Sequence, residues 1–221
     1  MLSKILKECN KEMQDMVELE KNKRDIQRQN ALDSSFKSMV ADNNYNLRII
    51  SSAFDNIQFE ISEEAKSIEK TILNIIRKVL KDNSIDAYTI NNLKTQNRKF
   101  NELLEDEWKK FYNNKTTRIL NLLDAIRGIA QDKDKVKYAS NKIKECANWA
   151  VVNKKLNSLC MGIKEANEII EALDIDNNII EFLKKVSSEE ATLLDIDEKI
   201  IFWINKNELQ GKIFISFNKK K

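Results

Sequence analysis

No proline occurs in the 221 residues, and the only glycines are Gly128, Gly162 and Gly211. Those two residue types mark turns and helix ends. A chain that lacks them is written for long, uninterrupted helices. The fold class predicted is therefore all-α: a long coiled-coil-like arm, a helical bundle, and a small C-terminal module ending in one short strand. Charged residues make up 33% of the chain and hydrophobic residues 42%. That balance suits helices with one exposed and one buried face. A net charge of +3 does not by itself call for a polyanionic partner.

The same scarcities exclude much chemistry. Histidine is absent, which removes Ser–His and Cys–His nucleophile pairs and the histidine-containing zinc and di-iron sites. The glycines are too far apart to cradle a phosphate. Cys9, Cys146 and Cys160 are odd in number and widely spaced, so they read as free thiols of a reducing compartment. The start of the chain lacks the apolar core of a signal peptide, and no run reaches the ~18 apolar residues of a membrane helix. These features predict a cytoplasmic protein without cofactor or metal.

The clearest periodicity runs over 33–81. Val40, Leu47, Phe54, Ile61, Ile68 and Ile75 recur at intervals of seven. Phe36, Ile50 and Ile57 fill the alternate core position. This 3-4 seam predicts one continuous helix packed lengthwise on another helix, of this chain or of a second one. Asn43, Glu64 and Thr71 interrupt the alternate position, and a buried Asn43 would fix register at a cost in stability.

Residues 1–32 form a separate amphipathic helix, with Leu2, Ile5, Leu6, Cys9, Met13, Met16 and Val17 on one face. Asp33-Ser34-Ser35 is its boundary with the long helix, and Asp82-Asn83-Ser84 is the turn that closes the latter. A helical body spans 86–172. Asn113-Asn114 reads as a break, and Asp132-Lys133-Asp134 as a new start. Between 135 and 174 two apolar sets lie on nearly opposite sides of a helical wheel. With no breaker present, one helix changing partners is the reading favoured over a break near Val152-Asn153.

The module at 173–221 contains a repeat. Leu173-Asp174-Ile175-Asp176 precedes Ile179, Ile180, Phe182 and Lys185; Leu194-Asp195-Ile196-Asp197 precedes Ile200, Ile201, Trp203 and Lys206, 21 residues later. Asp176 and Asp197 are natural N-caps. Asp174, Asp176 and Asn178 imitate the start of a calcium loop, but Ile179 and Lys185 stand where glycine and glutamate are required. Ile213, Ile215 and Phe217 then alternate as in a strand, read as a packed, extended tail or, alternatively, as a strand that borrows an edge from a partner. Glu105-Asp106-Glu107 reads as a solvated helix face.

Residues 133–164 carry eight lysines against two acids, and residues 165–198 eleven acids against two lysines. Lys133, Lys137 and Lys144 fall within about 40° of one another on a helical wheel, where a phosphate backbone could meet them. Trp149 lies nearby.

The leading functional expectation is a non-catalytic interaction or structural subunit of a larger cytoplasmic assembly, held to a protein partner or a second copy. The alternative is a nucleic-acid-associated accessory subunit serving a separately encoded ATPase or nuclease, as in bacterial antiviral defence. An enzyme is the third reading, because a helical fold does not specify function.

Overall fold

The computed structural model describes residues 2–130, 132–188 and 190–213, without the side chains of 2–10 and 187. It is all-helical: α1 (Leu2–Ile57), α2 (Glu63–Asp82), α3 (Ala87–Ile126), α4 (Lys133–Lys144), α5 (Val152–Ala172), α6 (Asn177–Ser187) and α7 (Glu198–Lys206). Single 3-10 turns lie at Trp149–Val151 and Leu193–Asp195. Two compact units result, one of Met1–Ser51 with Glu60–Leu104, the other of Ser52–Phe59 with Glu105–Lys221.

Within α1, α2 and α3 the helix starts and stops differ from expectation in three places. First, α1 runs straight through Asp33-Ser34-Ser35. Serine and aspartate cost a helix interior only tenths of a kcal/mol, and Phe36 and Met39 are buried just beyond them. Second, the helix predicted over 33–81 is interrupted. It ends at Ile57, where Gln58 takes a left-handed φ of 60°, and α2 restarts with the Ser62 hydroxyl accepting from the Ala65 N–H at 3.1 Å. Third, α3 passes Asn113-Asn114 unbroken. Its buried Tyr112 and Thr116 hold that stretch down, and the Thr116 hydroxyl donates to the Tyr112 carbonyl at 2.8 Å.

In the first unit α1 and α3 run parallel. The Asn97 amide donates to the Met39 carbonyl (3.2 Å), and further along both helices the Asn46 amide donates to Asn101 Oδ1 (2.6 Å). Helix α2 contributes Ala65, Ile72, Ile76 and Val79 to the core. The buried line on α1 here is Phe36, Met39, Asn43, Asn46 and Ile49. It lies one residue before most of the predicted seam. Of that seam Phe36 is buried, Val40, Leu47, Ile50, Ile57, Ile61, Ile68 and Ile75 are half-buried, and Phe54 is 50% exposed. A helix contacting two neighbours buries a broad face, and small or polar residues at its centre permit close approach. The bulky residues expected at the centre then become flanks.

In the second unit the segment between Ile57 and Glu63 supplies a core residue. Phe59 is 1% exposed and meets Trp108, Phe111 and Trp149 with ring centroids 5.3, 5.2 and 5.8 Å away. Aromatic packing of this kind, edge-to-face on Trp108 and Phe111 and tilted on Trp149, favours the turn that brings Phe59 inward. Trp108 Nε1 donates to the Cys146 carbonyl (3.0 Å) and the Tyr112 hydroxyl to the Ile143 carbonyl (3.1 Å). Trp108 of α3 thereby satisfies the carbonyl of Cys146, just past the end of α4, and Tyr112 adds a second donor to the Ile143 carbonyl, which also accepts from the Cys146 N–H at 3.2 Å.

The chain breaks at 145–151 rather than continuing as one helix, so the two apolar sets belong to two antiparallel helices. Val136, Ala139 and Ile143 of α4 face Leu156, Leu159, Gly162 and Ala166 of α5. The backbones approach closely at Gly162, where a Cβ would lie 3.0 Å from the Ala139 carbonyl oxygen. The predicted caps are in place: Asp132, Asp176 and Asp197 accept from the N–H groups of Lys135, Ile179 and Ile200, each at 2.9 Å. Ile213 is half-buried and not in a strand, while Ile215 and Phe217 lie outside the described residues.

Candidate interaction surfaces

Every described side chain of α1 from 11 to 31 is exposed. Met13, Met16, Val17, Leu19 and Ile26 are 62% to 69% exposed. Met13, Met16 and Val17 share one stripe, continued one turn further by the Glu20–Arg24 pair, 3.3 Å apart. Such i,i+4 pairs and a composition rich in Glu, Lys, Gln and Met maintain the helix in water, and continuity with the packed part of α1 removes the cost of nucleation. Charge is segregated along the arm. Residues 11–20 hold four acids against one lysine, and residues 21–30 four basic residues against one acid.

The basic block forms the outer face of α4. Lys133, Lys137 and Lys144 are all exposed, and none has a carboxylate partner among the described residues. Lys142 instead lies over the Tyr138 ring, 4.6 Å from its centroid, with Tyr138 50% exposed. Periodicity does not flag Tyr138, because it belongs to the solvent side. Trp149 is buried in the aromatic cluster. The other lysines are in part committed: Lys155 pairs with Glu145 at 2.7 Å, which lowers the Glu145 pKa.

The would-be calcium residues are engaged elsewhere. Asp176 caps α6, and Asp174 pairs with Lys206 at 2.7 Å. Among the described residues no group of three or more Cys, Asp or Glu is arranged to hold a metal. Burial pushes the Cys146 thiol up to about 12, with Cys160 nearby adding to the shift, so Cys146 is a poor nucleophile. Among the described residues no helix is long and apolar enough to cross a membrane.

The two repeats are joined reciprocally. Lys185 of the first pairs with Asp195 of the second, and Lys206 of the second with Asp174 of the first. These are equivalent positions exchanged, the signature of a two-fold relation within the chain. The relation is decorated asymmetrically: Trp203 Nε1 donates to the Leu173 carbonyl (2.6 Å), a bond that its counterpart Phe182 cannot make. Comparison of the chain with protein-family models, curated proteins and solved structures finds no match in any of the three.

Proposed function

We propose that the protein is a non-catalytic interaction subunit of a larger assembly, docking through the arm of α1. The observation that carries this reading is the bare apolar stripe of Met13, Met16 and Val17 on a helix whose continuation is packed. An amphipathic helix laid in a groove or paired with another helix is a recurring recognition mode. The segregated charge of the arm would set the orientation of the partner helix. The assembly is placed in the cytoplasm, in keeping with the free thiols. The test is the full chain carrying Met13→Glu and Met16→Glu. Its helical circular dichroism and melting should match the wild type, while the mass of the complex recovered from its own cells should fall. An unchanged complex would contradict the arm as the docking element.

A second reading, accessory binding of nucleic acid, is favoured by the exposed Lys133, Lys137 and Lys144, which have no carboxylate partner among the described residues, beside the exposed Tyr138. Lysines at that spacing match phosphates, and an exposed ring offers a stacking surface. Charge reversal of the three lysines should abolish low-salt binding to single- or double-stranded nucleic acid; absence of binding by the wild type would dispose of this reading.

A further inference from the structure

The solvent side of α4 brings two kinds of group together. Lys133, Lys137 and Lys144 are exposed and lie along about 16 Å of helix. About 100° around the helix from Lys137 stands Tyr138, half exposed, with the Lys142 ammonium 4.6 Å from its ring centroid. The other side of α4 is fixed, since Val136, Ala139, Ser140 and Ile143 are buried. The ring therefore projects from a packed pair of helices and not from a loop. Two acids belong to the basic block. Glu145 is paired with Lys155 at 2.7 Å. Asp134 is exposed one turn before Tyr138, so the flank of α4 that carries Lys133, Lys137 and Lys144 is the track open to an anion.

We infer, resting on the nucleic-acid reading of α4, that this face selects single-stranded over double-stranded nucleic acid, the lysine stripe taking phosphates and Tyr138 taking one unstacked base. Phosphates are common to both forms, so the lysines alone do not discriminate between them. The ring does. In a duplex every base is stacked between its neighbours and offers only its edges in the grooves. A tyrosine on a helix surface needs the face of a base, which a single strand, a loop or a frayed end presents. Lys142 holds the ring from one side and leaves it half exposed to a base. Its ammonium also adds positive charge close to the stacked base and its phosphate. Stacking of this kind tolerates any base, so the preference is for strandedness and not for sequence.

The probe is a fluorescent oligothymidylate of ~10 nucleotides, with a blunt mixed-sequence duplex of the same length as control, each titrated with the full chain at low salt. The single strand should bind about tenfold or more tighter than the duplex. Its affinity should fall with salt at a slope of about −2 in log K against log salt, as three lysine contacts on a single strand require. Tyr138→Ala should lower single-strand affinity about tenfold and leave the duplex unaltered, whereas Tyr138→Phe should keep the affinity of the wild type. Neither substitution touches the buried side of α4, so circular dichroism should stay unchanged. Equal affinity for strand and duplex, or a Tyr138→Ala variant that binds the strand as the wild type does, would overturn the selection and leave charge-driven binding standing. An equal loss in Tyr138→Phe and Tyr138→Ala would overturn stacking in favour of a contact to the hydroxyl. Failure of both probes to bind the wild type would overturn the nucleic-acid reading itself.

Discussion

The two parts of α1 are one continuous helix, yet they live in different surroundings. From Phe36 to Ile49 its inner residues are buried beneath α3 and the core that α2 completes; from 11 to 31 every side chain is exposed. Apolar residues recur at three and four positions in both parts. Periodicity therefore reports that a helix has a face, and it is silent on whether the chain covers that face. The covered part contains amides at its centre, and the bare part contains methionines. Asn43 of the covered part and Asn97 of α3, which packs on it, each leave a buried side-chain oxygen without a hydrogen-bond partner among the described residues, a cost of about 1–3 kcal/mol apiece. A bundle that tolerates this has apolar burial to spare, whereas the arm keeps its adaptable apolar surface free.

The largest expected effect separates buried from predicted positions on adjacent turns. Ile49→Ala should destabilise by ~2–5 kcal/mol, since Ile49 is 1% exposed. Phe54→Ala, on the predicted seam but half exposed, should cost less than ~1 kcal/mol. Denaturant unfolding of the two variants checks both. Equal losses would restore the seam predicted from the heptads.

Asn43→Leu sharpens the contrast from the other side. Removing the orphaned amide should stabilise the protein by about 1 kcal/mol. A loss of more than ~1 kcal/mol in the same unfolding experiment would mean that the amide is paired or that the site is too tight for a leucine.

In the arm, Met13→Glu with Met16→Glu should change unfolding free energy by less than ~0.5 kcal/mol, because neither side chain is packed. A larger loss would show that the stripe is covered within the protein itself.

The smallest expected effect concerns a surface held by polar contacts rather than apolar ones. The Lys185 ammonium and the Thr192 backbone and hydroxyl lower the Asp195 carboxyl to about 2. Its folded value is below the unfolded one, so its contribution is present above about pH 4 and is lost as pH falls towards 2. Thermal melts of Asp195→Asn and wild type should differ at neutral pH and converge near pH 2. A constant difference would contradict the lowered value.

What was legible in the sequence was local. Asp132, Asp176 and Asp197 act as caps because each accepts from an N–H three residues on, and the turn at Asn83 follows from its left-handed tolerance. The break after Ile57 was not legible, because it is decided by the burial of Phe59 among Trp108, Phe111 and Trp149, partners far away in sequence. The seam was misplaced by one residue because heptad counting rewards bulk, while packing against two helices puts Asn43 and Asn46 at the centre. The separation of α4 from α5 hid for a related reason: the stretch 145–148 holds no glycine or proline, and the side chain that satisfies the Cys146 carbonyl, Trp108, comes from α3. Of the candidate surfaces, the lysine stripe could be read from spacing.

The most direct measurement is site-specific photo-cross-linking along the arm in the protein's own cells. A photoreactive phenylalanine analogue is placed at Met16 on the stripe and, separately, at Asn22 on the opposite face. Docking through the stripe predicts a discrete adduct of defined mass from position 16 and little from position 22. Equal labelling at both positions, or no adduct at either, would contradict it.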